Sequence, residues 1–123
     1  MLLLDTHVLL WWLADSPLLS PKAVAAIRNE PVVFVSAASV WEIAIKRALG
    51  KLEAPDDLVS AVAAYDFRQL LITFEHAAIT GALPRHHDDP FDRMLIAQAQ
   101  CEGLTLVTND GRISQYKVPV LTA

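Results

Sequence analysis

Short apolar runs alternate along this chain with longer stretches in which apolar and polar positions are mixed. Leu2-Leu3-Leu4 is a continuous apolar run closed by Asp5, the pattern of a strand buried on both faces of a sheet. Thr6 to Ala14 reads as a helix, closed by Asp15-Ser16-Pro17. Ser20 and Pro21 then stand as N-cap and first residue of a helix running to about Asn29. Val32 to Val35 is β-branched and aromatic throughout, a strand composition. Either Ser36 or Ser39 caps the next helix, which runs to Leu49 with Gly50 just past its end. Pro55-Asp56-Asp57 starts a helix to about Tyr65, and Gln69 to Ile72 is a short strand. Thr73 caps a helix through Ala82. Asp89 caps another that starts at Pro90 and stops at Gly103. Leu104 to Thr108 is a strand, and Asn109-Asp110-Gly111 is a turn. Lys117 to Leu121 is a last strand, placed at a sheet edge by Pro119, which has no N–H to donate.

This alternation predicts an α/β fold, with a mostly parallel central sheet between two helical layers. No repeat, low-complexity tract or linker interrupts it, so residues 1–123 are expected to form a single domain. Hydrophobic residues make up 54% and charged residues 20%, a globular composition. The formal net charge of −4 counts against a plain electrostatic nucleic-acid binder. It leaves open an enzyme that reaches phosphate through a metal ion. Cys101 is the one cysteine, which excludes an internal disulfide and suits a buried structural thiol in a reducing compartment. The start of the chain has no basic segment, and Asp5 interrupts its apolar run, so it does not read as a signal peptide. The apolar run Val8 to Leu13 is too short to span a bilayer. A soluble cytoplasmic protein is expected.

In a parallel α/β sheet the carboxyl ends of the strands share one edge, and ligands bind there. Asp5 follows the first strand, and Asp110 follows the strand Leu104 to Thr108. Glu42 lies in the first turns of the helix after the second strand. Asp92 opens the Pro90 helix and joins the group if its preceding loop lies on the same edge. Each acid also has an ordinary role. Asp5 can start a turn, Asp110 sits in a turn sequence, and Asp92 and Asp89 both suit a helix N-terminus. Glu42 can complete a capping box with Ser39 or pair with Lys46. Yet Glu42 shares a stripe with Ile45 and Leu49 on a helix apolar almost all round, which reads as largely buried or covered by a partner. A buried carboxylate needs a cation or donors. Clustered carboxylates repel one another unless protons or a cation neutralise them, and oxygen ligands alone point to Mg²⁺ or Mn²⁺. Such an ion binds phosphate and acidifies a bound water, the equipment for phosphodiester hydrolysis.

Lys46, Arg47, Lys51, Arg85 and Arg93 are candidates for RNA phosphates but read more simply as surface charges. His86 and His87 are candidates for substrate or metal, in a polar loop where histidine is unremarkable. Trp11, Trp12 and Trp41 suit core or dimer packing better than base stacking.

Four segments carry a family resemblance: Leu4-Asp5-Thr6-His7, Ser39-Val40-Trp41-Glu42-Ile43, Asp89-Pro90-Phe91-Asp92-Arg93 and Val107-Thr108-Asn109-Asp110. In this order and spacing they resemble PIN-domain ribonucleases, specifically VapC-type toxins of type II toxin–antitoxin pairs, over nearly the whole chain. The resemblance implies a PIN-like α/β/α sandwich in which Asp5, Glu42, Asp92 and Asp110 hold one or two Mg²⁺ or Mn²⁺ ions, with Thr6 and Thr108 in support. It implies metal-dependent cleavage of an RNA phosphodiester, a VapB-type antitoxin that covers the acidic site, a homodimer and no membrane association. The alternative is a catalytically idle PIN-like module that only holds RNA or a protein.

Overall fold

A computed structural model describes residues 1–123. Its element order is β1 (Leu2–Leu4), α1 (Thr6–Leu13), α2 (Pro21–Asn29), β2 (Val33–Ser36), α3 (Ala37–Ala48), α4 (Leu58–Ala63), β3 (Arg68–Leu70), α5 (Phe74–Ala82), α6 (Pro90–Glu102), β4 (Thr105–Thr108), a 3₁₀ turn (Ile113–Gln115) and β5 (Val120–Thr122). The five strands lie in the order β3-β2-β1-β4-β5, and every pairing is parallel.

β1 is the centre of the sheet, and its three leucines explain the two layers. Leu2 and Leu4 enter one core with Val33, Val35 and Val107, covered by Val8 and Leu9 of α1 and Ala23 and Ile27 of α2. Leu3 points the other way, into a second core with Leu106 and with Leu95, Ile96 and Ala99 of α6. Alternate residues of one strand therefore feed opposite layers. That is why β1 reads as a continuous apolar run.

Local signals place most element ends. Ser20 accepts from the Ala23 N–H with Pro21 at the first helical position. Asp89 accepts from the Asp92 N–H in the same way. Gly103 ends α6 at φ +66°, a left-handed conformation that glycine adopts without strain. The choice between Ser36 and Ser39 falls to Ser36, which ends β2 and accepts from the Ala38 N–H. Ser39 thus lies inside α3, and no Ser39–Glu42 capping box forms. The helix expected from Pro55 starts only at Leu58, with Asp57 as its cap. The edge strands also shift. β3 ends at Leu70, leaving Leu71 and Ile72 exposed, and β5 begins after Pro119. Two packing expectations are corrected. Cys101 is half-buried rather than buried. On α3 the inward face is Ala38, Ser39, Glu42 and Ile43, while Ile45 and Leu49 are exposed, so the stripe does not follow Glu42 inward. No helix is long and apolar enough to cross a membrane.

Candidate active site

The strand order reverses between β1 and β4: β1 leads to β2 on one side, and β4 and β5 lie on the other. The carboxyl ends of two such strands bound a crevice. Asp5 leaves β1 and Asp110 follows β4. A cleft of about 320 Å³ opens here, lined by ten residues with no apolar side chain among them. Glu42, Asp92 and Asp110 line it, together with Lys46, His87 and Arg112. Asp5 lies behind them, buried and close enough to Asp92 and Asp110 for its charge to be felt.

Asp5 is the N-cap of α1, and its Oδ1 accepts from the Val8 N–H at 2.8 Å. Burial raises its carboxyl above the usual range, against the Thr108 hydroxyl and the Val8 N–H, which lower it. The Thr108 hydroxyl oxygen also accepts from the Asp110 N–H at 3.1 Å, which ties the β4 end to its turn. Thr6 donates to the Ser39 hydroxyl at 3.1 Å and so pins the start of α1 to α3, beside Glu42. Both threonines support the backbone around the acids. Glu42 is buried and accepts from Lys46 Nζ at 2.5 Å, one helical turn on.

Asp92 is pushed up to about 6, first by burial and then by Asp89, Asp5 and Glu42, with His87 opposing. Asp110 goes the other way, to about 2, because Arg112 holds its ionised form. Two carboxylates in one cleft thus sit at opposite ends of the carboxylate range. The crowded one gains most from a cation.

His87 is the residue that sequence reading misses. It is not an unremarkable loop histidine. Its side chain is 2% exposed, and its Nε2 lies 2.9 Å from Asp92 Oδ2 and 3.0 Å from Asp110 Oδ2. Nδ1 accepts from the Asp89 N–H at 3.2 Å, so the neutral ring carries its proton on Nε2 and donates it to the two acids. With Nδ1 occupied in this way, Nε2 is a donor here and not a metal ligand. His86 stays outside this contact, with its ring edge-on to Tyr116.

Two distant residues put His87 there. Arg93 spends its guanidinium on four backbone carbonyls: Pro84 and His87 through Nη1, Thr80 and Leu83 through Nη2. It is a clamp on the loop and not a free surface charge. The Tyr116 hydroxyl donates to the Pro84 carbonyl at 2.7 Å and accepts from the His86 and His87 N–H groups. The one available signal is Arg93 itself, a cation one residue after Asp92 at the start of a helix, where the macrodipole disfavours it. Arg47 pairs with Asp56, and Arg85 lies exposed beside Asp88. Trp11 and Trp12 pack against the core as expected, but Trp41 is 60% exposed with its ring edge-on to Phe91.

A doubly wound parallel sheet with a wholly polar, carboxylate-lined cleft at its switch point defines an acidic-site α/β protein. A family model described as PIN domain matches residues 2–119, and the chain belongs to that family. It is 34% identical over 120 residues to Ribonuclease VapC22 of Mycobacterium tuberculosis, covering 95% of this chain and 92% of the relative. The fold matches DNA-bound VapBC from Salmonella typhimurium with a TM-score of 0.73 at 19% identity, covering 98% of this chain and 96% of that one. It matches a toxin–antitoxin complex from Klebsiella pneumoniae with a TM-score of 0.69 at 19% identity, covering 99% and 97%. The α/β/α architecture and the PIN resemblance read from the four motifs are both borne out.

Proposed function

We propose that this chain is a VapC-type toxin, a metal-dependent endoribonuclease held in check by a cognate antitoxin. The observation that carries the reading is the meeting of Asp5, Glu42, Asp92 and Asp110, from four separate segments, around one polar cleft. The named relative is a ribonuclease, and a structural neighbour is a toxin–antitoxin complex.

The donor set fits a hard divalent cation. It is all carboxylate oxygen, burial and then the neighbouring acids raise Asp92 to about 6, and no thiol is near. Asp92, Asp110 and Glu42 would hold Mg²⁺ or Mn²⁺ from the cleft side, with Asp5 behind. When bound, the ion supplies charge stabilisation at phosphate and an acidified water. His87 fixes one oxygen each of Asp92 and Asp110 side by side, so their spacing is set before the cation arrives. Asp5 and Asp89 each cap a helix whose first turn faces the cleft, so the acids are carried on rigid backbone.

The exposed Trp41 and Ile45 of α3, with Leu49 at its C-cap, give an apolar surface for the antitoxin or a second copy in a homodimer. RNA as substrate agrees with a cytoplasmic location. The test is cleavage of a mixed RNA pool by antitoxin-free protein with Mg²⁺, Mn²⁺ or chelator, beside Asp92→Asn. Cleavage that requires metal and vanishes in the variant supports the reading. RNA binding with no metal-dependent turnover supports the idle module instead.

A further inference from the structure

Asp110 is saturated. Its Oδ1 accepts from the Arg112 backbone N–H at 2.9 Å and from Arg112 Nε at 3.2 Å. Its Oδ2 accepts from Arg112 Nη2 at 3.0 Å and from His87 Nε2 at 3.0 Å. A carboxylate has about four lone-pair positions, and here four donors meet them. A cation therefore reaches Asp110 only if a donor leaves. The backbone N–H is fixed by the turn, and His87 is buried with its loop clamped by Arg93 and Tyr116. The Arg112 guanidinium is different. Its side chain is 62% exposed, and it makes no hydrogen bond except to Asp110. Arg93 is the contrast, with four carbonyl contacts that tie it to the fold.

We propose that Arg112 is an exchangeable counter-ion: it neutralises Asp110 in the ion-free cleft and, when a divalent cation takes that carboxylate, turns its guanidinium to the phosphate of the RNA. This rests on the nuclease reading above. The release disturbs nothing else in the fold, because the guanidinium is exposed and held by Asp110 alone. The released group stays tethered two residues from Asp110 and lines the same cleft. A planar fork of donors matches phosphate oxygens in pairs, which a lysine ammonium does not. A net charge of −4 and a carboxylate-lined cleft otherwise give a polyanion little to hold.

The experiment compares wild type, Arg112→Gln and Arg112→Lys in two measurements. The first is calorimetric titration of chelator-treated protein with Mn²⁺ alone. The second is steady-state cleavage of a mixed-sequence RNA pool at saturating Mn²⁺. Removing the competitor tightens Mn²⁺ binding in Arg112→Gln by about threefold. Losing the phosphate contact raises its KM by roughly tenfold, with a smaller change in kcat. Arg112→Lys keeps Mn²⁺ affinity near wild type but shares the raised KM. Weaker Mn²⁺ binding in Arg112→Gln overturns the proposal, because the arginine then merely stiffens the turn. Tighter Mn²⁺ binding with an unchanged KM overturns the phosphate role, and two unchanged values overturn both halves. A wild-type protein that neither binds Mn²⁺ nor cuts RNA overturns the nuclease reading, and the proposal with it.

Discussion

His87 and His76 are built alike and sit in different company. Each is buried, each accepts a backbone N–H at Nδ1 from two or three residues away, and each turns Nε2 to carboxylate. For His76 the N–H belongs to Thr73, which His76 faces in a capping box at the start of α5, and the carboxylate is Glu102 at 2.8 Å. Cys101 completes a His–Cys–Glu group there, and His87, Asp92 and Asp110 form its counterpart in the cleft. The ring in each group is a donor, because Nδ1 is already an acceptor. The groups differ in what surrounds the ring. Glu102 is half in water, so one hydrogen bond satisfies it. Asp92 is half-buried among Asp89, Asp5 and Glu42, and one donor does not offset their charge and its burial. A buried histidine near acids is thus a structural device in both places. Confinement of several carboxylates is what separates the cleft from the cap.

That contrast makes graded predictions. Asp92→Asn removes the most crowded acid and should lower the RNA cleavage rate by on the order of 10²–10³, the scale of losing one preorganised charge at a transition state. His87→Ala should weaken Mn²⁺ binding about tenfold, as loss of an outer partner of metal ligands does. His76→Ala should leave Mn²⁺ binding unchanged and cost about 1–3 kcal/mol in urea unfolding, through the lost cap and buried bonds. Equal effects of the two histidine changes on Mn²⁺ binding would erase the distinction. The last effect is on pH dependence. Folding holds the Asp92 carboxyl at about 6 against the ordinary 3.8, so it disfavours the ionised form. The stability Asp92 contributes is present below pH 4 and is lost as pH rises from about 4 to about 6. Mn²⁺ affinity runs oppositely, falling about tenfold per unit below pH 6 as a proton competes for that site. A flat Mn²⁺ affinity from pH 7 to 5 would contradict the crowding of Asp92.

Chain order alone brought Asp5, Glu42 and Asp110 to one edge, because a parallel sheet sends every strand's carboxyl end there, while Asp92 needed the family resemblance. Asp5 and Asp110 needed only their strands, and both flank the switch point. The core was legible for the same reason: β1, β2 and β4 are apolar without alternation, and they are the three inner strands. What resisted reading depends on contacts across long separations. The His87 backbone is held by the Tyr116 hydroxyl, 29 residues on, and nothing around His87 announces that partner. The edge strands β3 and β5 start and stop where pairing with a neighbour allows, so their own residues define them poorly. The α3 stripe failed because Glu42 is drawn in by the cleft while the end of the same helix projects outward.

The most direct test of the central claim is calorimetric titration of Mn²⁺ into chelator-treated wild-type protein and the Asp92→Asn variant at pH 7.5. Saturable binding in the wild type that is lost in Asp92→Asn, with the variant unfolding thermally at or above the wild-type temperature, is the predicted result. Equal Mn²⁺ binding by both proteins would contradict the claim, since the crowded carboxylate would then play no part in holding the ion.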